Sequence, residues 1–185
     1  DQLAVLGLVT LHADDEQACE RITETAHHGE AITVVTNDEA AELNERMRTG
    51  RVERGEVDDE VTATGSDGLP IGAGDLIQTR RNDTALGVAN RQQWIIQHIA
   101  DDCTVYAREV GSGRKNPRTV TLPPEYVAGH AHLSYAATAY GVQGATVTTS
   151  HTILSEATTA AGVYVGMTRG RETNRLHVIA EDMAD

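Results

Sequence analysis

The stretch AITVVT at residues 31–36 decides the fold class of this chain. It is an unbroken apolar and β-branched run, which is typical of a strand buried on both faces of a parallel sheet. Apolar residues at helical spacing lie on both sides of it: Ala18, Ile22 and Ala26 before the run, and Ala40, Leu43 and Met47 after it. A buried strand between two amphipathic helices predicts an α/β domain with a parallel sheet.

Downstream of this core the pattern changes. Asn37 or Asp38 is expected to cap the second helix and Gly50 to end it, and residues 51–73 predict a loop with at most a hairpin. Short β-branched runs separated by turns follow, at the spacing of a small β barrel. They are DLIQT (75–79), WIIQHI (94–99), CTVYAR (103–108) and RTVTL (118–122).

The α/β pattern returns after Pro123 and Pro124. Strands are expected at residues 132–138, 148–154 and 174–180, with a helix over residues 157–171. We therefore predict a parallel-sheet domain formed by residues 1–73 and 131–185, with a small β barrel inserted at about 74–130.

Composition excludes several classes of protein. Lys115 is the only lysine and lies in GSGRKNPR, so the chain has no GxxxxGK[ST] loop and cannot bind a nucleotide by such a loop of its own. Cys19 and Cys103 form no CxxC pair, which argues against a disulfide framework or a zinc site. No apolar run approaches the roughly 20 residues that span a membrane. Because the chain starts at Asp1, with no signal peptide, we interpret it as a piece of a larger intracellular protein.

The segment VYVGMTRGR at 163–171 is the clearest chemical signal. Arg169 and Arg171 stand beside Thr168 at the end of a helix of small residues. Guanidinium groups bind phosphate oxygens in pairs and stay charged at any working pH. A solvated helix end, with arginine favoured by the helix dipole, explains the same residues without a ligand.

Two further segments carry weaker signals. In YAATAYGVQGATV (135–147), Gly141 and Gly144 allow a close backbone approach to a ligand, and Gln143 adds an amide, although a plain strand–helix turn fits equally well. The other segment is IGAGDLIQTRRND (71–83). It has two interpretations: a hairpin turn with exposed charges, or an edge of the domain that contacts nucleic acid.

In this order, these segments resemble the second motor domain of RecD-like superfamily 1 DNA helicases, in particular conjugative relaxase-helicases of the TrwC/TraI/TraA type. The resemblance extends over about residues 31–180 and rests on five segments, which resemble motif IV, the strand leading into the insert, its LGVxNG turn, motif V and motif VI. In that order they are VVTNDEAAELNERMR (34–48), GDLIQTRRND (74–83), LGVANRQ (86–92), YAATAYGVQGATV (135–147) and VYVGMTRGR (163–171). Arg91 departs from the family's glycine in the turn, and Thr146 from a glutamate.

The resemblance implies a RecA-like fold with an SH3-like β-barrel insert, and it implies roles for individual residues. Arg169 becomes the catalytic arginine finger, with Arg171 as the runner-up. Gln143, Gly144, Thr146 and Arg171 lie near the nucleotide. The implied contacts to single-stranded DNA are Arg80, Arg81, Asn82, Thr138 and Tyr140. No metal site is expected, since His130 and His132 are a lone pair of histidines for which a structural role is favoured.

The implied activity is that of half an ATP-dependent helicase, which acts in plasmid DNA transfer in the cytoplasm. ATP and Mg²⁺ would serve the full-length protein, whereas this chain alone is expected to be inactive. The implied partners are single-stranded DNA, the first RecA-like domain of the same protein and type IV secretion components, without membrane insertion. The alternatives are a non-catalytic docking module of a relaxase and a stand-alone nucleic-acid-binding barrel, of which the latter leaves motifs V and VI unexplained.

Overall fold

The computed structural model describes residues 7–25, 30–111, 115–142, 147–154 and 158–179 of this 185-residue chain. The chain divides into two compact units, Asp1–Leu43 with Tyr135–Asp185, and Asn44–Ser134. The limits predicted for the inserted barrel, residues 74–130, stay a prediction.

The first unit is built on a parallel sheet, as the buried run at 31–36 predicts. Its strands are β1 (Val9–His12), β2 (Ala31–Val34), β10 (Ala136–Thr138), β11 (Val147–Leu154) and β12 (Gly170–Ile179). They lie in the order β1-β12-β11-β2-β10, and every described pair is parallel. The carboxyl ends of all five strands therefore meet at one edge of the sheet, and their amino ends at the other.

Three helices follow strands of this sheet in the chain: α1 (Asp15–Thr25) after β1, α2 (Asn37–Glu53) after β2 and α4 (Ala160–Met167) after β11. In α1, Ala18 and Ile22 are fully buried, as the predicted stripe requires. The cap of α2 is Thr36 rather than Asn37 or Asp38. Its hydroxyl accepts the Glu39 N–H at 3.2 Å, while the Glu39 carboxylate accepts the N–H groups of Val35 and Thr36. This reciprocal pair is a capping box, in which the residue before the expected cap satisfies the free N–H groups.

The second unit is antiparallel. It contains a hairpin of β3 (Asp58–Thr64) and β4 (Pro70–Ala73), helix α3 (Pro124–His130) and a five-stranded sheet. The strands of this sheet are β5 (Leu76–Thr79), β6 (Gln93–Ile99), β7 (Val105–Val110), β8 (Thr119–Leu122) and β9 (Ala131–Leu133), in the order β8-β7-β6-β5-β9. Among the described residues β8 and β9 are the two edges of this sheet, so a closed SH3-like barrel remains a prediction.

Four predictions about local structure were wrong. Helix α2 continues through Gly50 to Glu53, whereas the β3–β4 hairpin in the rest of 51–73 is one that the prediction allowed. The run at 132–138 is not one strand, because β9 and β10 belong to different sheets. Helix α3 lies where no helix was predicted. The helix predicted over 157–171 is described only from Ala160 to Met167, so Arg171 lies in β12 rather than at a helix end.

Candidate functional site

Helix α4 and the start of β12 position Arg169. Thr159 caps the helix by accepting the Gly162 N–H at 3.1 Å, and Thr168 closes it by donating to the Tyr164 carbonyl at 2.8 Å. The Arg169 side chain turns back on this helix end, where its Nε donates to the Val165 carbonyl at 3.0 Å and its Nη2 to the Thr168 hydroxyl at 3.2 Å. Arg169 is half-buried, which leaves part of its guanidinium accessible.

The small residues of VYVGMTRGR have a steric reason. A Cβ on Gly166 would lie 2.3 Å from the Thr152 hydroxyl oxygen, closer than real Cβ atoms approach other heavy atoms. Glycine therefore lets α4 pack directly onto β11. This close packing fixes the position of the end of α4, which directly precedes Arg169.

The segments 135–147 and 163–171 meet at the amino edge of the parallel sheet. Val147 is the Cα partner of Gly170, and its N–H donates to the Arg169 carbonyl at 3.0 Å. Arg171, in β12, is exposed near the same edge. The predicted nucleotide contacts Gln143, Gly144 and Thr146 lie outside the described residues.

The predicted DNA contacts Thr138 and Tyr140 lie at the opposite edge, where β10 ends. The Thr138 hydroxyl accepts the Gly141 N–H at 3.3 Å and its carbonyl accepts the Val142 N–H at 3.0 Å, which fixes the turn. Tyr140 is 67% exposed. The strand register puts Thr138 level with Ile153, six residues beyond Val147, so the two edges are about 20 Å apart.

A partly enclosed cavity of about 140 Å³ lies at this carboxyl edge, between β2, β11 and the start of α4. Thr33 and Thr152 are Cα partners, both line the cavity, and they are 2% and 1% exposed. Within the described part of the chain, their hydroxyls have no hydrogen-bond partner. The cavity has no charged side chain among its described lining residues, which are Thr33, Val34, Val35, Ala139, Thr152, Ile153, Thr158, Thr159 and Gly162.

Sequence patterns alone do not reveal this pair of hydroxyls. Both threonines lie in β-branched runs that predict strands, and a threonine in such a run ordinarily reads as a packing residue. Only the register of β2 against β11 makes them neighbours. A buried hydroxyl without a partner carries a desolvation cost, so a ligand that hydrogen-bonds to both would recover free energy.

In the second unit, the predicted DNA contacts Arg80, Arg81 and Asn82 are all exposed. They follow β5 into a tight turn, where the Asn82 side-chain oxygen accepts the Asn90 N–H at 2.8 Å. The Arg81 Nη1 lies 3.2 Å from the His130 Nε2. Asn82 thus shapes the turn with its carbonyl oxygen, while the two arginines present positive charge to solvent.

The first residues of GDLIQTRRND (74–83) stabilise the fold through buried contacts. Asp75 is fully buried, and its carboxylate accepts from the Arg48 Nε at 2.9 Å and from the Gly72 N–H at 2.7 Å. Gly74 has φ +99°, and a Cβ there would lie 2.4 Å from the Glu56 carbonyl oxygen. The segment therefore combines a buried ion pair at one end with exposed cations at the other.

Arg91, which departs from the family's glycine, has φ +64°. This left-handed conformation is the one that favours glycine. The backbone of the turn thus keeps the conformation that a glycine would adopt, with the Arg91 N–H donating to the Thr79 carbonyl at 2.7 Å.

His130 and His132 lie in different elements. His130 ends α3, whereas His132 lies in β9 with its Nδ1 2.7 Å from the Leu133 carbonyl oxygen. Burial lowers the pKa of His132. The described residues contain no group of three or more histidine, cysteine or acidic side chains placed to hold a metal ion.

Comparison with solved structures identifies the fold. The chain is similar to Bacteroides Pif1 bound to single-stranded DNA, with a TM-score of 0.60 and 14% identity over 99% of this chain and 46% of that one. Pif1 from Candida albicans gives a TM-score of 0.61 and 11% identity, covering 91% and 50%. Bacteroides Pif1 in complex with ADP-AlF3 and single-stranded DNA gives 0.55 and 15%, covering 91% and 46%.

These neighbours are Pif1 proteins, and at 11–15% identity the similarity is one of fold, with the α/β unit and its parallel sheet consistent with a RecA-like helicase domain. The sequence comparisons are less informative. No family model matches the chain. Two uncharacterized proteins from Mycobacterium tuberculosis strains CDC 1551 and H37Rv are each 29% identical over 92 residues, which is 49% of this chain. The match spans about half the length of these relatives, 51%. None of the helices in the described residues is long and apolar enough to cross a bilayer.

Proposed function

We propose that this chain is the second RecA-like motor domain of an ATP-dependent superfamily 1 DNA helicase, from a conjugative relaxase-helicase of the TrwC/TraI/TraA type. The observation that carries the helicase part is Arg169, half-buried at the amino edge of a RecA-like sheet and held by the end of α4. The order of the motifs supports the relaxase part. A steady-state ATPase assay on the full-length protein tests the proposal, and an ATPase that oligo-dT does not stimulate would contradict it.

The residues present fit one side of an ATP site. Arg169 and Arg171 bring two positive charges to the amino edge, and the chain has no phosphate-binding loop that would hold the triphosphate itself. The first motor domain would hold ATP and Mg²⁺, which supply the phosphoryl group and neutralise part of its charge. Arg169 would then stabilise the charge that develops on that group during transfer, as arginine fingers do.

Single-stranded DNA would follow the carboxyl edge. Tyr140 offers an exposed ring on which a base can stack. The neighbouring cavity, lined by aliphatic groups and the hydroxyls of Thr33 and Thr152, suits the neutral base or sugar of a nucleotide better than a phosphate. Arg80 and Arg81 in the second unit would contact phosphates. In a conjugative relaxase, type IV secretion components would be further partners.

Substitution of Tyr140 by alanine is expected to weaken single-stranded DNA binding by the full-length protein about 5- to 150-fold, because base stacking contributes ~1–3 kcal/mol per base. Fluorescence anisotropy with labelled oligo-dT measures the change. Tyr164→Ala is the matched control, since Tyr164 is also an exposed tyrosine of the first unit, 71% accessible, but lies on α4. Equal losses in the two variants would remove Tyr140 from the DNA path.

The double substitution Thr33→Val with Thr152→Val is expected to stabilise the DNA-free protein and to weaken DNA binding. Each valine removes a buried hydroxyl without a partner, a group whose burial costs about 1–3 kcal/mol. Urea unfolding gives the stability and oligo-dT titration the affinity. Thr148→Val, at an exposed position of β11, serves as the control. Stabilisation with unchanged DNA affinity would exclude the cavity from the DNA path.

A further inference from the structure

A row of buried histidines crosses the parallel sheet. His12 of β1, His177 of β12 and His151 of β11 are 4%, 3% and 0% exposed. The His12 Nε2 lies 3.0 Å from the His177 Nδ1, and the His177 Nε2 lies 3.0 Å from the His151 Nδ1. The neighbouring rings stack with centroids 5.2 and 5.3 Å apart.

Glu30, which immediately precedes β2, ends the row. Its Oε2 lies 2.7 Å from the His151 Nε2. Side-chain contacts along the row therefore join β1, β12, β11 and the start of β2. These contacts add to the backbone hydrogen bonds between the strands. None of its four members belongs to the proposed ATP or DNA contacts.

The hydrogen bonds fix which nitrogen of each ring carries the proton. An ionised carboxylate only accepts, so the His151 Nε2 must donate to Glu30. In neutral His151 the Nδ1 is then an acceptor, which requires the His177 Nε2 to donate. By the same reasoning the His12 Nε2 donates to the His177 Nδ1. In the neutral row all three imidazoles are thus protonated on Nε2 and aligned in one direction.

The surroundings oppose an additional proton inside the row. Burial, and then the charges of the neighbouring histidines, Arg175 and Arg21, lower the pKa of His177 to about 3. Burial and Arg21 of α1 lower the pKa of His12, against the opposing effect of Asp14, which precedes α1. A proton on the His177 Nδ1 would also point at the N–H of His12 and break that hydrogen bond.

We propose that this histidine row is a pH-sensitive lock on the parallel sheet, closed while all three rings are neutral and opened by acid. The direction follows from proton linkage. Below pH 6.5 the unfolded chain binds protons at His12 and His177 that the folded chain does not, so stability is present above pH 6.5 and is lost as the pH falls. For His177 alone, the folded-to-unfolded ratio should fall about 25-fold between pH 7 and pH 5.

Urea unfolding of the full chain at pH 7 and pH 5 tests the lock, with His177→Gln as the informative variant. Glutamine can accept from His12 and donate to His151 through its amide, but it does not titrate. The unfolding equilibrium constant changes between pH 7 and pH 5, and we expect this factor of change to be more than tenfold smaller in His177→Gln than in the unaltered chain. His98→Gln, at an exposed histidine of the second unit, should leave it unchanged. Equal pH dependence in the unaltered chain and His177→Gln would overturn the proposal.

Long-range ¹⁵N–¹H NMR on the unaltered protein provides a test that does not depend on a variant folding. We expect the spectra to show three neutral rings protonated on Nε2 at pH 7, with His177 still neutral at pH 5 in the folded state. A charged His177 or His151 at pH 7, or a ring protonated on Nδ1, would overturn the lock.

Discussion

Replacing Arg169 by alanine in the full-length protein is expected to lower kcat for DNA-stimulated ATP hydrolysis by at least about a hundredfold. Arginine fingers contribute roughly 10³–10⁵ in rate, because they meet charge that appears only in the transition state. ATP binding should weaken far less, since most binding contacts would belong to the first motor domain. A steady-state ATPase titration at saturating single-stranded DNA measures both parameters.

Arg171→Ala is the matched control, because Arg171 is a neighbouring arginine whose position in β12 leaves it exposed. Its effect on kcat should be milder. A near-normal kcat for Arg169→Ala, or a larger loss for Arg171→Ala, would mean that the finger has been assigned to the wrong residue or the wrong family. This chain without the first motor domain is the negative control, and we expect it to hydrolyse no ATP.

Replacing Asp75 by alanine is expected to destabilise the second unit by about 3–5 kcal/mol, since it removes one partner of a buried ion pair. Arg48 is 6% exposed and would keep only its contact with Asp59, while the Gly72 N–H would lose its acceptor. The expected measurement is a lower urea midpoint at an unchanged m-value. Asp75→Asn keeps an acceptor at the same place and should cost less.

Asp101→Ala provides the control for Asp75→Ala. Asp101 is an exposed acidic residue of the same unit, so its removal should change the free energy of unfolding by no more than about 0.5 kcal/mol. A cost below about 1 kcal/mol for Asp75→Ala would show that the Arg48–Asp75 pair does not hold the unit together.

The sequence predicts the parallel sheet because the relevant residues act locally. Ile32, Thr33 and Val34 form a β-branched run that is buried in place, and the stripe of α1 buries Ala18 and Ile22 as expected. The failures have an equally local cause. Gly50 reads as a helix end, but α2 continues past it because Arg48, just before it, and Arg51, just after it, form ion pairs with Asp75 and Glu56.

Features that depend on strand register could not be predicted. Thr33 faces Thr152, and His12 meets His177, only because β2, β11, β12 and β1 pair in one particular alignment. Residues 135–147 resemble motif V, but the pattern does not show that its two ends lie at opposite edges of the sheet. Single-sequence patterns report period and composition, and neither contains the distance between strands that are far apart in the chain.

The segment 135–147, which resembles motif V, leaves one edge of the sheet at Thr138 and reappears at the other at Val147, beside Arg169. In mechanical terms the two ends of this segment are two stations, of which the proposed function would have one face the DNA and the other the nucleotide. The five hydrogen-bonded strands between the stations form a stiff plate that bends little. A force generated when the nucleotide cleft closes would therefore reach the DNA edge as a displacement of the whole plate, with little lost to internal strain.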